Sequence, residues 1–278
     1  MLYICATPIG NLADITHRAL EVLAKADIIL CEDTRNSQKL LNHHGINNKK
    51  LVALHEHNEN EISTKVLSWL QEKLTIVQIS DAGTPGISDP GARLCNLLYQ
   101  HGIIPIPLPG ACAYTTLLSV AGLIECPSLF YGFLPAKSVQ RQKQLSQWQT
   151  VNYAVCIYES PHRICDCLEN IVTTLGAERH IVMGRELTKQ FETIRKLPAD
   201  ELLEFVKSDN NQQKGEFALL ILPAATSPEE SALSANQIAT LELLALELPT
   251  KKAVNLAHKL SGGDRDLMYN YLLARKPQ

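Results

Sequence analysis

The chain has 278 residues, 45% apolar and 20% charged, with a formal net charge of −3. That balance excludes a disordered chain, and the length suits two compact lobes with a small appendage. No apolar run approaches the roughly 18 residues that span a bilayer, and no basic stretch leads the chain as in a signal peptide, so a cytoplasmic protein without membrane contact is expected.

Short β-rich runs at residues 2–5, 27–31, 51–54, 75–79 and 103–106 alternate with helical patterns. This predicts a parallel sheet with right-handed crossovers over residues 1–122. Around residue 125 the pattern changes. Residues 126–145, CPSLFYGFLPAKSVQRQKQL, offer a strand, a proline break and a basic helix. NYAVCIYESPHR, RHIVMGREL and KGEFALLIL supply further strands, so residues 123–223 are expected to form a second α/β lobe. Residues 224–231 read as a polar linker. Three short helices punctuated at Pro249 and at Gly262-Gly263 fill residues 232–278, with helix-turn-helix-like spacing.

Eight cysteines lie mostly inside apolar segments without a CxxC pair, which predicts buried thiols and neither a disulfide framework nor a metal site. Charge is uneven. From Pro249 to Gln278 six Lys or Arg stand against Asp264 and Asp266, a local +4 that leaves −7 elsewhere (−3 − 4), so the tail is a candidate basic face.

Ligands of parallel sheets sit beyond the carboxyl ends of the strands, and four special loops fall there. ATPIGN (6–11) follows the first strand, CEDTRN (31–36) the second, SDAGTPGISDPG (80–91) the fourth and PLPGACA (107–113) the fifth. No lysine follows Gly83 or Gly86 as a P-loop requires, and the GxGxxG dinucleotide fingerprint is missing. A glycine-rich turn without cations suits an adenosine or a zwitterionic amino acid, and residues 110–113 lead into a helix N-terminus that favours a carboxylate.

These loops, with LHEHNE (54–59), GFLPAK, YESPHR, GRELTK and KGEF, resemble the ribosomal RNA small subunit methyltransferase I family of the tetrapyrrole methylase superfamily. The resemblance spans nearly the whole chain. It implies a two-lobed α/β class III methyltransferase fold, usually a homodimer, with S-adenosylmethionine in the trough between lobes. It implies 2′-O-methylation of a cytidine in the decoding region of 16S small-subunit rRNA, with the rRNA or the 30S subunit as partner and no DNA.

On the superfamily pattern, Ser80, Asp81, Ala82, Gly83 and Thr84 occupy the cofactor loop, and Pro8, Gly110, Cys112, Ala113, Tyr158 and Leu187 complete the pocket, with Ser160 and Pro161 beside Tyr158. The stretch Ser80-Asp81-Ala82 departs from the superfamily's commoner Gly-Asp-Pro, which counts against a tetrapyrrole substrate rather than against the cofactor.

A sulfonium donor is already activated, so the protein must align the acceptor oxygen and take its proton. Glu32, Asp33 and Glu56, on loops after strands two and three, are candidate proton acceptors or positioning groups. Arg35, Lys137, Arg141, Lys143, His162, Arg163, Arg185 and Lys189 are candidate phosphate contacts, with Lys251 and Lys252 on the tail. Two other readings stay open: a small-molecule tetrapyrrole methylase, and a ribosome-assembly factor that keeps the pocket without catalysis.

Overall fold

A computed structural model of the chain describes residues 1–55, 57–224 and 233–275. Glu56, most of the polar stretch at 224–231, and Lys276 lie outside the described residues. The chain divides into two compact units, Met1–Ala224 and Ala225–Gln278.

The first unit opens with β1 (Leu2–Cys5), α1 (His17–Lys25), β2 (Ile28–Cys31), α2 (Thr34–His43), β3 (Lys50–Ala53), α3 (Glu59–Gln71), β4 (Ile76–Gln78), α4 (Ala92–Gln100), β5 (Ile106–Leu108) and α5 (Ala113–Val120). The five strands are all parallel, in the order β3-β2-β4-β1-β5. β2 and β4 are buried along their whole length, as strands covered on both faces must be. Leu23, Ile29, Leu41 and Val77 pack on one face with α1 and α2; Ile28, Leu30, Val66, Ile76, Leu94 and Leu98 pack on the other with α3 and α4. Each such side chain contributes about 1.5–3 kcal/mol by leaving water.

The fifth strand corrects the sequence reading. It lies at Ile106–Leu108 rather than 103–106, because Ile103 N still donates to Leu98 O and belongs to the cap of α4. Pro107, which lacks an N–H, is tolerated because β5 is an edge strand.

The second sheet follows from β6 (Ser128–Phe133), α6 (Ser138–Ser146), β7 (Ala154–Glu159), α7 (Ile164–Leu175), β8 (His180–Arg185), β9 (Thr193–Pro198), α8 (Ala199–Ser208) and β10 (Phe217–Ile221). Its order is β6-β7-β10-β8-β9, with β6 and β7 parallel and the other pairs antiparallel. The fully buried β10 is the central strand. β9 has no counterpart in the sequence reading. It is an edge strand with Arg195 and Lys196 exposed and a terminal proline, so it carries little apolar signal.

One apolar seam joins the two sheets. Ile9, Leu117 and Ala121 cluster with Ala154, Cys156, Val182, Leu187, Ala218 and Leu220 of the second sheet and its loops. Beside it, Asn11 N donates to Thr188 Oγ1 at 3.2 Å. Gly10 fits this junction because a Cβ there would stand 2.4 Å from Lys189 Cγ and 2.9 Å from Leu187 O.

The second unit holds α9 (Ala235–Glu247), α10 (Thr250–Ser261) and α11 (Arg265–Ala274). Ser234 and Gln237 form a capping box on α9, Gly262 ends α10 at φ 68°, and Asp264 caps α11 by accepting from Asp266 N and Leu267 N. Leu241, Val254, Ala257 and Met268 are its core.

Glu59, the first residue of α3, is only 4% exposed. Its Oε1 accepts from Gly91 N, Arg93 N and Leu94 N at 2.9, 3.0 and 3.2 Å, so it caps α4 across the fold. Glu59→Ala leaves these donors without their acceptor and is expected to cost about 2–3 kcal/mol, lowering the melting temperature by roughly 5–10 °C, whereas Glu59→Gln retains one acceptor and loses less. Gly10→Ala is expected to cost about 1–3 kcal/mol by overpacking the junction with Leu187–Lys189. Thermal unfolding followed by circular dichroism checks both.

Candidate active site

The β4 loop is stitched to its neighbours before any ligand is considered. Thr7 and Gly83 exchange backbone hydrogen bonds at 2.8 and 3.0 Å, joining the β1 and β4 loops. Gly83 sits at φ 80°, which favours glycine. Thr84 Oγ1 donates to Ala111 O at 3.0 Å, reaching the β5 loop. Asp81 accepts from Asp33 N at 3.0 Å and from Asn36 Nδ2 at 2.9 Å, reaching the β2 loop and α2. Under the loop's far end, Gln78 Nε2 donates to Pro90 O at 2.8 Å while Glu59 holds Gly91.

Beyond this loop lies a cavity of ≈ 390 Å³, within the size range of small-molecule sites. Asp81, Ala82, Gly83, Thr84, Cys112 and Ala113 wall one side; Tyr158, Glu159, Ser160, Pro161, Leu187 and Ala218 wall the other. The Tyr158 hydroxyl accepts from Tyr114 N at 3.0 Å, and burial pushes its ionisation upward, so it stays neutral. Ala82 N, Thr84 N and Ala113 N donate to no protein acceptor among the described residues. They leave hydrogen-bond donors in a mostly apolar hollow, which fits a nucleoside that also carries a carboxylate.

Of the residues expected in a cofactor pocket, Pro8, Ser80 and Gly110 are not in the cavity wall. Pro8 is buried, Ser80 O accepts from Thr7 Oγ1 at 2.9 Å, and a Cβ on Gly110 would stand 2.7 Å from Ala6 Cβ. They support the loops from behind. Asp89 and Glu216, which the sequence reading passed over, are in the wall. Burial, reinforced by the charges of Glu32, Asp81 and Glu216, pushes the Asp89 carboxyl up to about 6.

Glu32 and Asp33 stand beside the cavity rather than in its wall. Asp33 caps α2 through Arg35 N at 2.8 Å and pairs with the Arg35 guanidinium at 2.7 Å, and that hydrogen bonding lowers its carboxyl to about 2. The Glu32 carboxyl is raised, first by desolvation and then by Asp81.

Burial corrects several of the expected phosphate contacts. Arg141 is 3% exposed, and its Nε donates to Asn170 Oδ1 at 2.8 Å. Arg185 is 6% exposed, with its guanidinium bound to the carbonyls of Lys214, Phe191 and Asn211. Arg163 pairs with the buried Glu159 at 3.1 Å and donates to Leu134 O. Lys189 lines the cavity between Glu186 and Glu216, at 2.7 and 2.9 Å. Lys137, Lys143, His162, Lys251 and Lys252 are exposed, and so is Arg35 beside Asp33.

Residues 1–203 match the family described as Tetrapyrrole (Corrin/Porphyrin) Methylases, and residues 231–276 match the RsmI C-terminal HTH domain. The chain is 47% identical to Ribosomal RNA small subunit methyltransferase I of Escherichia coli O157:H7, covering 99% of this chain and 95% of that protein. It is 45% identical to the protein of the same name from Vibrio cholerae, covering 98% and 93%. Two solved structures share its fold. The cobalt precorrin-4 methyltransferase CbiF superposes with a TM-score of 0.57 at 18% identity, covering 79% of this chain and 93% of that one. Diphthine synthase superposes at 0.60 and 14%, covering 96% and 98%. The chain therefore belongs to the ribosomal RNA small subunit methyltransferase I family, within the tetrapyrrole methylases.

Proposed function

We propose that the protein binds S-adenosylmethionine in the cavity and methylates the ribose 2′-hydroxyl of a cytidine in the decoding region of 16S rRNA, working in the cytoplasm as a homodimer. The observation that carries the cofactor is the hollow lined by Ala82–Thr84, Cys112, Ala113, Tyr158 and Leu187, with free backbone donors at its rim and apolar walls behind. Close relatives named as rRNA methyltransferases support the acceptor.

The cofactor, when bound, supplies a methyl group already activated on a cationic sulfonium. The chain's part is to hold and to exclude. Ala82, Thr84 and Ala113 offer N–H groups to the polar ends of the ligand, while Leu187, Phe217 and Ala218 keep water from its apolar surface. The carboxylates of Asp81, Asp89, Glu159 and Glu216 make the wall complementary to positive charge. Glu32 and Asp33 are assigned to positioning the acceptor nucleotide beside the cavity; Glu56, outside the described residues, is a candidate for the same role from its sequence alone.

The exposed Lys137 precedes α6 and Lys143 lies in its last turn, and Lys251 and Lys252 open α10. Among the described residues none of the four pairs with an acidic side chain, which leaves them available for phosphate.

Transfer of labelled methyl from S-adenosylmethionine to small ribosomal subunits from cells lacking the activity, followed by nucleoside analysis, tests the reading. Label in 2′-O-methylcytidine is the expected result; no label, with the cofactor shown to bind, would overturn it in favour of a non-catalytic assembly role. Lys137→Ala and Lys143→Ala are each expected to weaken RNA binding and to reduce the log–log salt slope by about one, with cofactor affinity unchanged. Filter binding across a salt series reads both.

A further inference from the structure

Four carboxylates line the cavity, and three are tethered. Asp81 accepts from Asp33 N and Asn36 Nδ2. Glu159 accepts from Ser160 N and pairs with Arg163. Glu216 pairs with Lys189. Asp89 alone, among the described residues, pairs with no cation and accepts no backbone N–H.

Its backbone, by contrast, is held on both sides. Pro90 and Gly91 are fixed by Gln78 and Glu59, and Ser88 is held in the left-handed region at φ 66°, unusual for a residue with a side chain. A strained, clamped backbone that presents to a ligand cavity a carboxylate free of any cation, with only the Ser80 hydroxyl beside it, is the pattern of a preorganised functional group.

We propose, building on the methyl-transfer reading above, that Asp89 is the proton acceptor for the attacking ribose hydroxyl. As the oxygen–carbon bond forms, the carbon–sulfur bond breaks and its electron pair stays on sulfur, giving a neutral thioether. The hydroxyl proton passes to an Asp89 carboxylate oxygen. A ribose hydroxyl is far too weak an acid to ionise beforehand, so the transfer is late and needs the base at hand. Asp33 is a poor alternative, because both of its oxygens serve Arg35.

The groups facing Asp89 are Glu32 after β2, Asp81 after β4, Tyr158 and Glu159 on β7, Cys112 before α5, and Lys189 and Glu216 beside β8 and β10. Burial first, and then the carboxylates that predominate among these groups, make Asp89 a stronger base than an exposed aspartate. A base works only when ionised. With its carboxyl at about 6, turnover should fall as pH drops through that value and level off above it.

The test is Asp89→Asn, assayed for methyl transfer to small ribosomal subunits across pH 5–9 and for S-adenosylhomocysteine binding by calorimetry. The expected result is a loss of about 10²–10⁴-fold in turnover, disappearance of the acid limb, and unchanged S-adenosylhomocysteine affinity. Ionised Asp89 is disfavoured in the folded chain, so the variant is also expected to melt at or above the wild type at pH 7. Asp89→Glu should keep the acid limb at a reduced rate.

Wild-type turnover and an intact acid limb in Asp89→Asn would overturn the proposal. Loss of S-adenosylhomocysteine affinity together with turnover would overturn it too, assigning Asp89 to holding the cofactor. No transfer by the wild type, with S-adenosylhomocysteine bound, would overturn the methyl-transfer reading and this proposal with it.

Discussion

Burial of Ile9, Leu117 and Ala121 against Leu187, Ala218 and Leu220 is the contact on which the cavity depends. Each sheet packs its own helices, and neither encloses a ligand alone. The seam brings the carboxyl edge of the parallel sheet to the ends of β7 and β10, so that Asp81–Thr84 and Tyr158–Pro161 become opposite walls of one hollow. Leu117 is fully buried and takes part through a helix that follows β5 directly, so the chain meets the second sheet before it has begun to build it.

The β4 loop is the second organising element. It touches the β1 loop through Thr7, the β2 loop through Asp33, and the β5 loop through Ala111. None of these bonds is strong by itself, at about 0.5–1.5 kcal/mol net, but together they leave the loop little freedom. Acidic groups gather around a wall compensated nearby by Lys189 and by Arg163 on Glu159, and burial first, then these like charges, pushes the carboxyls of Asp89 and Glu32 upward.

Much of this was legible in the sequence because glycine and proline mark where a chain must turn, and apolar runs of four or five residues mark buried parallel strands. The four loops of the first sheet fell where they were expected, and Ala82–Thr84, Cys112, Ala113, Tyr158 and Leu187 gather round one cavity. What escaped was burial of charge. Arg141 sits in a polar stretch that looks like a solvated face and Arg185 ends an apolar strand, yet Arg141 donates to Asn170, 29 positions away, and Arg185 to carbonyls 26 and 29 positions away as well as to Phe191 O, which no local pattern encodes. Asp89 was passed over within the loop at 80–91. Its significance arises from Glu59, thirty positions earlier, and from Gln78 beneath it. β9 was missed for a simpler reason: an edge strand with two adjacent exposed charges, Arg195 and Lys196, and a terminal proline lacks the apolar signal that marks the others.

The clamp of Glu59 and Gln78 on residues 90–91 also ties folding to recognition. A loop ordered by the fold has already lost the conformational freedom that a ligand would otherwise have to remove. Where such a clamp is weakened, the competent loop is populated only part of the time, and apparent affinity falls by that fraction even though every contacting atom is unchanged. Glu59, absent from the cavity wall, thereby becomes a thermodynamic partner of whatever occupies it.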